Sequence, residues 1–141
     1  SEGRIHDYGF VENYGEGSGD GYVSLELVND GYYLLKEAGE IESFGNILPL
    51  EKVYVKSSAV DLEITKNDYY VLEDNGRVTI SGITPSYNDL GNAAVDIEVL
   101  ENGNGYYILD SHGNVYSYNA AVGFYSPEYS EEPIYSDMEV L

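Results

Sequence analysis

Apolar residues along the chain fall into two recurring patterns. In Ser24-Leu25-Glu26-Leu27, Asp61-Leu62-Glu63-Ile64, Asp96-Ile97-Glu98-Val99 and Asp137-Met138-Glu139-Val140 they take every second place, the period of a strand with one wetter and one drier face. In Gly31-Tyr32-Tyr33-Leu34-Leu35, Asp68-Tyr69-Tyr70-Val71-Leu72 and Gly105-Tyr106-Tyr107-Ile108-Leu109 the run is unbroken. A short continuous run of aromatic and branched residues suits a strand covered on both faces. Calling these strands A and B, each B is followed by a turn glycine, Gly39, Gly76 or Gly113, then by Ile41, Val78 or Val115. A glycine there takes the positive φ of a tight hairpin, so B pairs antiparallel with a third strand, C. Gly3 and Ile5 are a further copy of that turn, placing another strand C at Arg4–Tyr8.

The B runs at 31, 68 and 105 are spaced by 37 residues, and such a period marks stacked supersecondary units. The pattern predicts strands over 24–28, 31–36, 40–45, 60–65, 68–73, 77–81, 95–100, 105–110, 114–118 and 136–141. Less regular segments at Lys52-Val53-Tyr54-Val55 and Gly123-Phe124-Tyr125 supply an outer strand D. No segment has the 3.6-residue period of a covering helix, so strand B must be covered by neighbouring repeats. Radial packing of four-stranded antiparallel meanders is the β-propeller, whose blades run to roughly 40 residues. The expected fold is all-β, with about 3.75 blades in one domain or part of one: partial repeats at about 1–22 and 136–141 flank repeats at 23–58, 59–93 and 94–135. A β-solenoid, with shorter rungs and no hairpin glycine, is the alternative.

Val95-Asp96-Ile97-Glu98-Val99 and the stretch from Gly105 to Tyr118, GYYILDSHGNVYSY, resemble a repeat of secreted bacterial propellers. In it a Gly-Tyr-aromatic strand, an Asp-Gly hairpin and a Val-aromatic strand recur. They are also similar to quinoprotein-like propeller repeats, although the chain has no Trp, the residue that marks quinoprotein docking repeats. The resemblance implies a propeller and an extracellular or cell-surface location.

Composition narrows the function. The chain of 141 residues has 26 acids against 6 bases and a formal charge of -20. Phosphate neutralisation needs clustered Lys and Arg, so nucleic acid is not an expected partner. No apolar run reaches the roughly 20 residues of a membrane span, so no membrane insertion is expected. Without Cys there is neither a disulfide framework nor a thiolate metal site.

Strand A is the innermost strand of a blade, and its acids lie two apart on one face. Asp61, Glu63, Asp96, Glu98, Asp137 and Glu139, with Glu26, are therefore expected to ring one opening. The leading reading is that these acids face channel water and no cofactor is assigned; the alternative is a Ca²⁺ site, which such an oxygen set suits. The loop Asn13–Gly21 is Gly-rich and acidic but lacks both EF-hand spacing and the Lys-Ser/Thr of a phosphate cradle. His6 and His112 stand in no nucleophile–base arrangement, and His112 sits where Ala38 and Asn75 stand in other repeats. No catalytic residue is assigned. Tyr22, Tyr87, Tyr125, Tyr129 and Tyr135 fall in loops or outer segments, where tyrosines serve protein or carbohydrate recognition.

Strand A occurs four times but strand B three times. An A strand without its B exposes a row of backbone donors and acceptors. Met138, Glu139, Val140 and Leu141 are therefore expected to pair with a strand from another copy, or from the rest of a longer chain; a small ring with one defective blade is the third option. The expected function is a non-enzymatic module for binding or structural assembly, with a protein partner. A fragment of a propeller lyase or glycosidase is the alternative.

Overall fold

The computed structural model describes residues 3–9, 12–87 and 89–119, and every regular element within them is a strand. In chain order these are β1 (Tyr22–Val28), β2 (Gly31–Lys36), β3 (Ile41–Gly45), β4 (Ala59–Ile64), β5 (Tyr69–Glu73), β6 (Arg77–Ile80), β7 (Ile83–Tyr87), β8 (Ala94–Val99), β9 (Gly105–Asp110) and β10 (Val115–Asn119). They form three antiparallel meanders, β1-β2-β3, β4-β5-β6-β7 and β8-β9-β10. β1, β4 and β8 are the A strands, β2, β5 and β9 the B strands, and β3, β6 and β10 the C strands.

The repeat extends to backbone irregularities. Each A–B ladder slips register at one place, between Tyr22 and Ser24, Ala59 and Asp61, and Ala94 and Asp96. The extra residue is Val23, Val60 or Val95, a β-bulge that turns the Asp-apolar-Glu-apolar unit relative to the start of its strand. The hairpin glycines behave as their position requires: Gly39 has φ 94°, Gly76 88° and Gly113 85°.

Backbone bonds that follow the repeat close each sheet and tie it to the next. Glu37, Asp74 and Ser111, just after each B strand, donate N–H to the carbonyls of Gly21, Ser58 and Ala93 ahead of that sheet's own A strand, at 2.8, 2.9 and 2.8 Å. Ala59 then donates to the carbonyl of Glu37, and Ala94 to that of Asp74, both at 2.9 Å. The first two B–C hairpins thus each tie their own A strand to the next.

Side chains fill the space between sheets in two cores. Tyr33 and Leu35 of the first sheet pack with Ala59, Leu62 and Val71 of the second. Tyr70, Leu72 and Val78 of the second pack with Ala94, Ile97, Tyr106 and Ile108 of the third. B strands are buried because alternate residues enter different interfaces: Tyr70 and Leu72 lie in one core, Val71 in the other. Buried aromatic and aliphatic side chains of this size stabilise by about 1.5–3 kcal/mol each.

Three expectations need correction. Arg4–Tyr8 is not a strand; no B strand lies beside it among the described residues, and an unpaired strand has no ladder to hold it. The segment at 52–55 is not a strand either. It turns inward, Val53 donating N–H to the carbonyl of Gly39 at 2.9 Å and burying its side chain in the first inter-sheet core. The outer fourth strand appears only in the second sheet, as β7, paired to β6 across Ser81–Gly82. The first and third sheets are three-stranded among the described residues, and the expected strands at 123–125 and 136–141 lie outside those residues.

Candidate functional site

The A strands bring their acids together. β1, β4 and β8 lie side by side, and equivalent residues meet across them in two rows: Ser24, Asp61 and Asp96, and Glu26, Glu63 and Glu98. Asp61 is the centre of the first row. Its Oδ1 accepts the hydroxyl of Ser24 at 3.1 Å and the N–H of Leu62 at 2.9 Å, and its Oδ2 accepts the N–H of Ile97 at 2.9 Å. Burial pushes its carboxyl up to about 8, helped by a hydrogen bond with Asp96 and opposed by the Ile97 amide and the Ser24 hydroxyl. Glu63 is the centre of the second row. Burial, then hydrogen bonds with Glu98 and Glu26, hold its carboxyl far above the ordinary range. Burial also raises Glu26.

The raised carboxyls of Asp61 and Glu63 favour their protonated forms, which hydrogen-bond to Asp96 and to Glu98 and Glu26. Among the described residues no three His, Cys, Asp or Glu side chains are grouped so as to hold a metal ion. Of the expected cation set, Asp61, Glu63, Asp96 and Glu98 converge with Glu26, while Asp137 and Glu139 lie outside the described residues, as do Met138, Val140 and Leu141. The neighbours that shift Asp61 and Glu63 most are Asp96, Glu98 and Glu26, with the Ser24 hydroxyl and the Ile97 amide opposing at Asp61.

A second set of polar residues went unnoticed in the sequence. The last residue of each B strand is Lys36, Glu73 or Asp110, and each grips the chain ahead of its own A strand. Lys36 Nζ donates to the carbonyl of Ser18 at 3.1 Å and lies 4.9 Å from the centre of the Tyr22 ring. Glu73, fully buried, accepts the N–H groups of Lys56 and Ser57 at 2.7 and 2.8 Å, and Arg77 at 2.9 Å. Asp110 accepts Asn92 Nδ2 at 3.3 Å, the N–H of His112 and of Asn114 at 2.9 Å, and the hydroxyl of Tyr116 at 3.1 Å. Burial opposes the charge of Asp110, but these donors outweigh it and hold the carboxyl below its usual value. The place repeats while its chemistry does not, since a cation aimed at a carbonyl and an anion aimed at amides close the same loop. No identity-based pattern reveals that; the burial expected at the end of strand B was the available signal.

The remaining candidates resolve simply. His112 is an exposed turn residue. His6, also exposed, lines an open groove with Arg4, Tyr22 and Leu25. The Gly-rich loop is held by tyrosines: the hydroxyl of Tyr32 donates to the carbonyl of Gly15 and accepts the N–H of Tyr14, and the Tyr22 hydroxyl has the Ser18 carbonyl, in the loop, and the Glu42 carboxylate, on β3, as acceptors for its one proton. Tyr22 thus serves the fold; of the other outer tyrosines, Tyr125, Tyr129 and Tyr135 lie outside the described residues. No described helix is long and apolar enough to cross a membrane. No protein-family model, curated protein or solved structure matches the chain.

Proposed function

We propose that the three sheets are blades of a β-propeller-type domain, and that the domain is a non-enzymatic binding or assembly module, extracellular or at the cell surface, completed by strands from another chain. The observation that carries the reading is the recurring backbone tie: Ala59 to Glu37 and Ala94 to Asp74 link successive hairpins and A strands in the same way. A tie repeated in one sense advances each sheet by a similar rotation, as radial packing requires. The carboxyl rows on the adjoining A strands are where a propeller places its channel. The carboxyls of these rows hydrogen-bond one another and the backbone amides of Leu62 and Ile97, which suits a structural lining between sheets.

Incubation with uronic-acid polysaccharides and a glycoside panel tests the reading against a lyase or glycosidase. The expected result is no product. Release of reducing ends or unsaturated sugars that Asp61→Asn or Glu63→Gln abolishes overturns it.

A further inference from the structure

In the interior of the molecule, the side of a sheet that faces its predecessor is covered in two parts. For the second sheet, one part is the A–B strand pair ahead of it, contributing Val28, Tyr33 and Leu35. The other is the connector after strand C, contributing Val53 and Val55. Leu62 is fully buried as a result, and so is its counterpart Ile97 in the third sheet.

The first sheet has the connector part of this cover. Gly17 donates N–H to the carbonyl of Gly3 at 3.0 Å, repeating the bond from Val53 to Gly39 at 2.9 Å that lies 36 residues further on. Gly3 has the left-handed φ of 73° that matches Gly39 at 94°. Tyr14 packs edge-on against Tyr32, which is buried. The strand-pair part is different. Leu25, the counterpart of Leu62, is 50% exposed, and Leu27 is 73% exposed. Between Arg4–Ile5 and the side chains of Val23, Leu25 and Leu34 runs an open groove of about 470 Å³.

We propose that this groove, together with the exposed Leu27 two residues on from Leu25 on the same strand face, takes, in trans, a β-hairpin of the same repeat: an Asp-apolar-Glu-apolar strand followed by an aromatic-x-Leu strand whose Tyr and Leu rest on Leu25 and Leu27. The argument is continuity with the two interfaces already formed, which bury the same strand positions against the same residue types. A folded second copy is poorly placed to fill the groove, because its Tyr33/Leu35, Tyr70/Leu72 and Tyr107/Leu109 pairs are already buried. A hairpin not yet packed in a sheet stack has them free, as in strand-addition complexes. This rests on the assembly reading above and names its partner.

The probe is a fluorescein-labelled peptide of the chain's own residues 59–73, titrated with the full chain and read by anisotropy. NaCl at about 0.5 M shortens the Debye length to about 4 Å and removes most of the like-charge repulsion. Saturable binding is expected, weakened at least ~10-fold by Leu27→Glu and by Leu25→Ser at unchanged circular dichroism, and absent for a peptide with Tyr70→Ser and Leu72→Ser. No saturation up to ~1 mM, or equal binding by the Leu27→Glu variant, overturns the proposal. So does self-association of the full chain through Leu27 that excludes the peptide, which gives the groove to a second copy. None of these outcomes involves turnover of a glycan, so the assembly reading is judged separately.

Discussion

The side chain of Asp61 on β4 accepts the backbone N–H of Ile97 on β8 across 2.9 Å, so a carboxyl of one sheet holds an amide of the next. Replacement by Ala leaves that amide and the Ser24 hydroxyl without their acceptor in a poorly solvated place. Asp61→Ala is expected to cost about 1–3 kcal/mol by chemical denaturation. Asp61→Asn keeps an acceptor and carries no charge, so it should cost less than ~1 kcal/mol near neutral pH, and a loss as large as that of the Ala variant contradicts the arrangement.

Stability should fall as pH rises from about 5 to 8. Asp61, Glu63 and Glu26 have folded-state pKa values raised above the ordinary carboxyl range of about 4. Between that range and the folded value, about 8 for Asp61, the folded chain keeps protons the unfolded chain has released. The stabilisation is therefore complete below about 4 and lost upward through the window, at up to ~1.4 kcal/mol per pH unit for each proton of difference. Asp110, lowered, contributes in the opposite sense, losing its stabilisation as pH falls below about 4. Melting temperatures at constant ionic strength give the sign; a rise from pH 5 to 8 contradicts it.

Glu73 closes the loop ahead of β4 with three hydrogen bonds while fully buried. Glu73→Ala strands two amides and weakens the hold on Arg77, and is expected to cost about 3–5 kcal/mol. Arg77→Ala leaves the carboxylate its two amide donors and should cost less. Denaturant midpoints of the two variants give the order.

The Thr79 hydroxyl is buried without a hydrogen-bond partner among the described residues. Thr79→Val replaces it with a methyl of similar size, and is expected to stabilise by about 1 kcal/mol because the folded state no longer desolvates an unpaired hydroxyl. Destabilisation beyond ~0.5 kcal/mol contradicts this.

Nine of the ten described strands are legible in the sequence because period and turn chemistry agree: the alternating Asp-Leu-Glu-Ile unit, the unbroken Tyr-Tyr-Val-Leu run and the intervening glycine each point to one local geometry. The tenth, β7, is not, since Ile83-Thr84-Pro85-Ser86-Tyr87 alternates weakly and carries a proline, which marks it only as an edge. Arg4–Tyr8 shows the opposite failure, a strand-like pattern without a partner. The meeting of the A-strand acids follows from the repeat, but their protonation does not: whether Asp61 binds a cation, faces water or shares a proton with Asp96 depends on burial set by neighbouring sheets. The closures by Lys36, Glu73 and Asp110 are hidden because opposite charges do the same work.

The central claim is that A strands of successive sheets lie side by side and share their carboxyl protons. The most direct measurement is the pH titration of the Ile97 amide chemical shift by NMR, in the wild-type chain and in Asp61→Asn. The account predicts a shift with its midpoint near 8, abolished by the substitution. A midpoint near 4, or a titration that persists in Asp61→Asn, contradicts it.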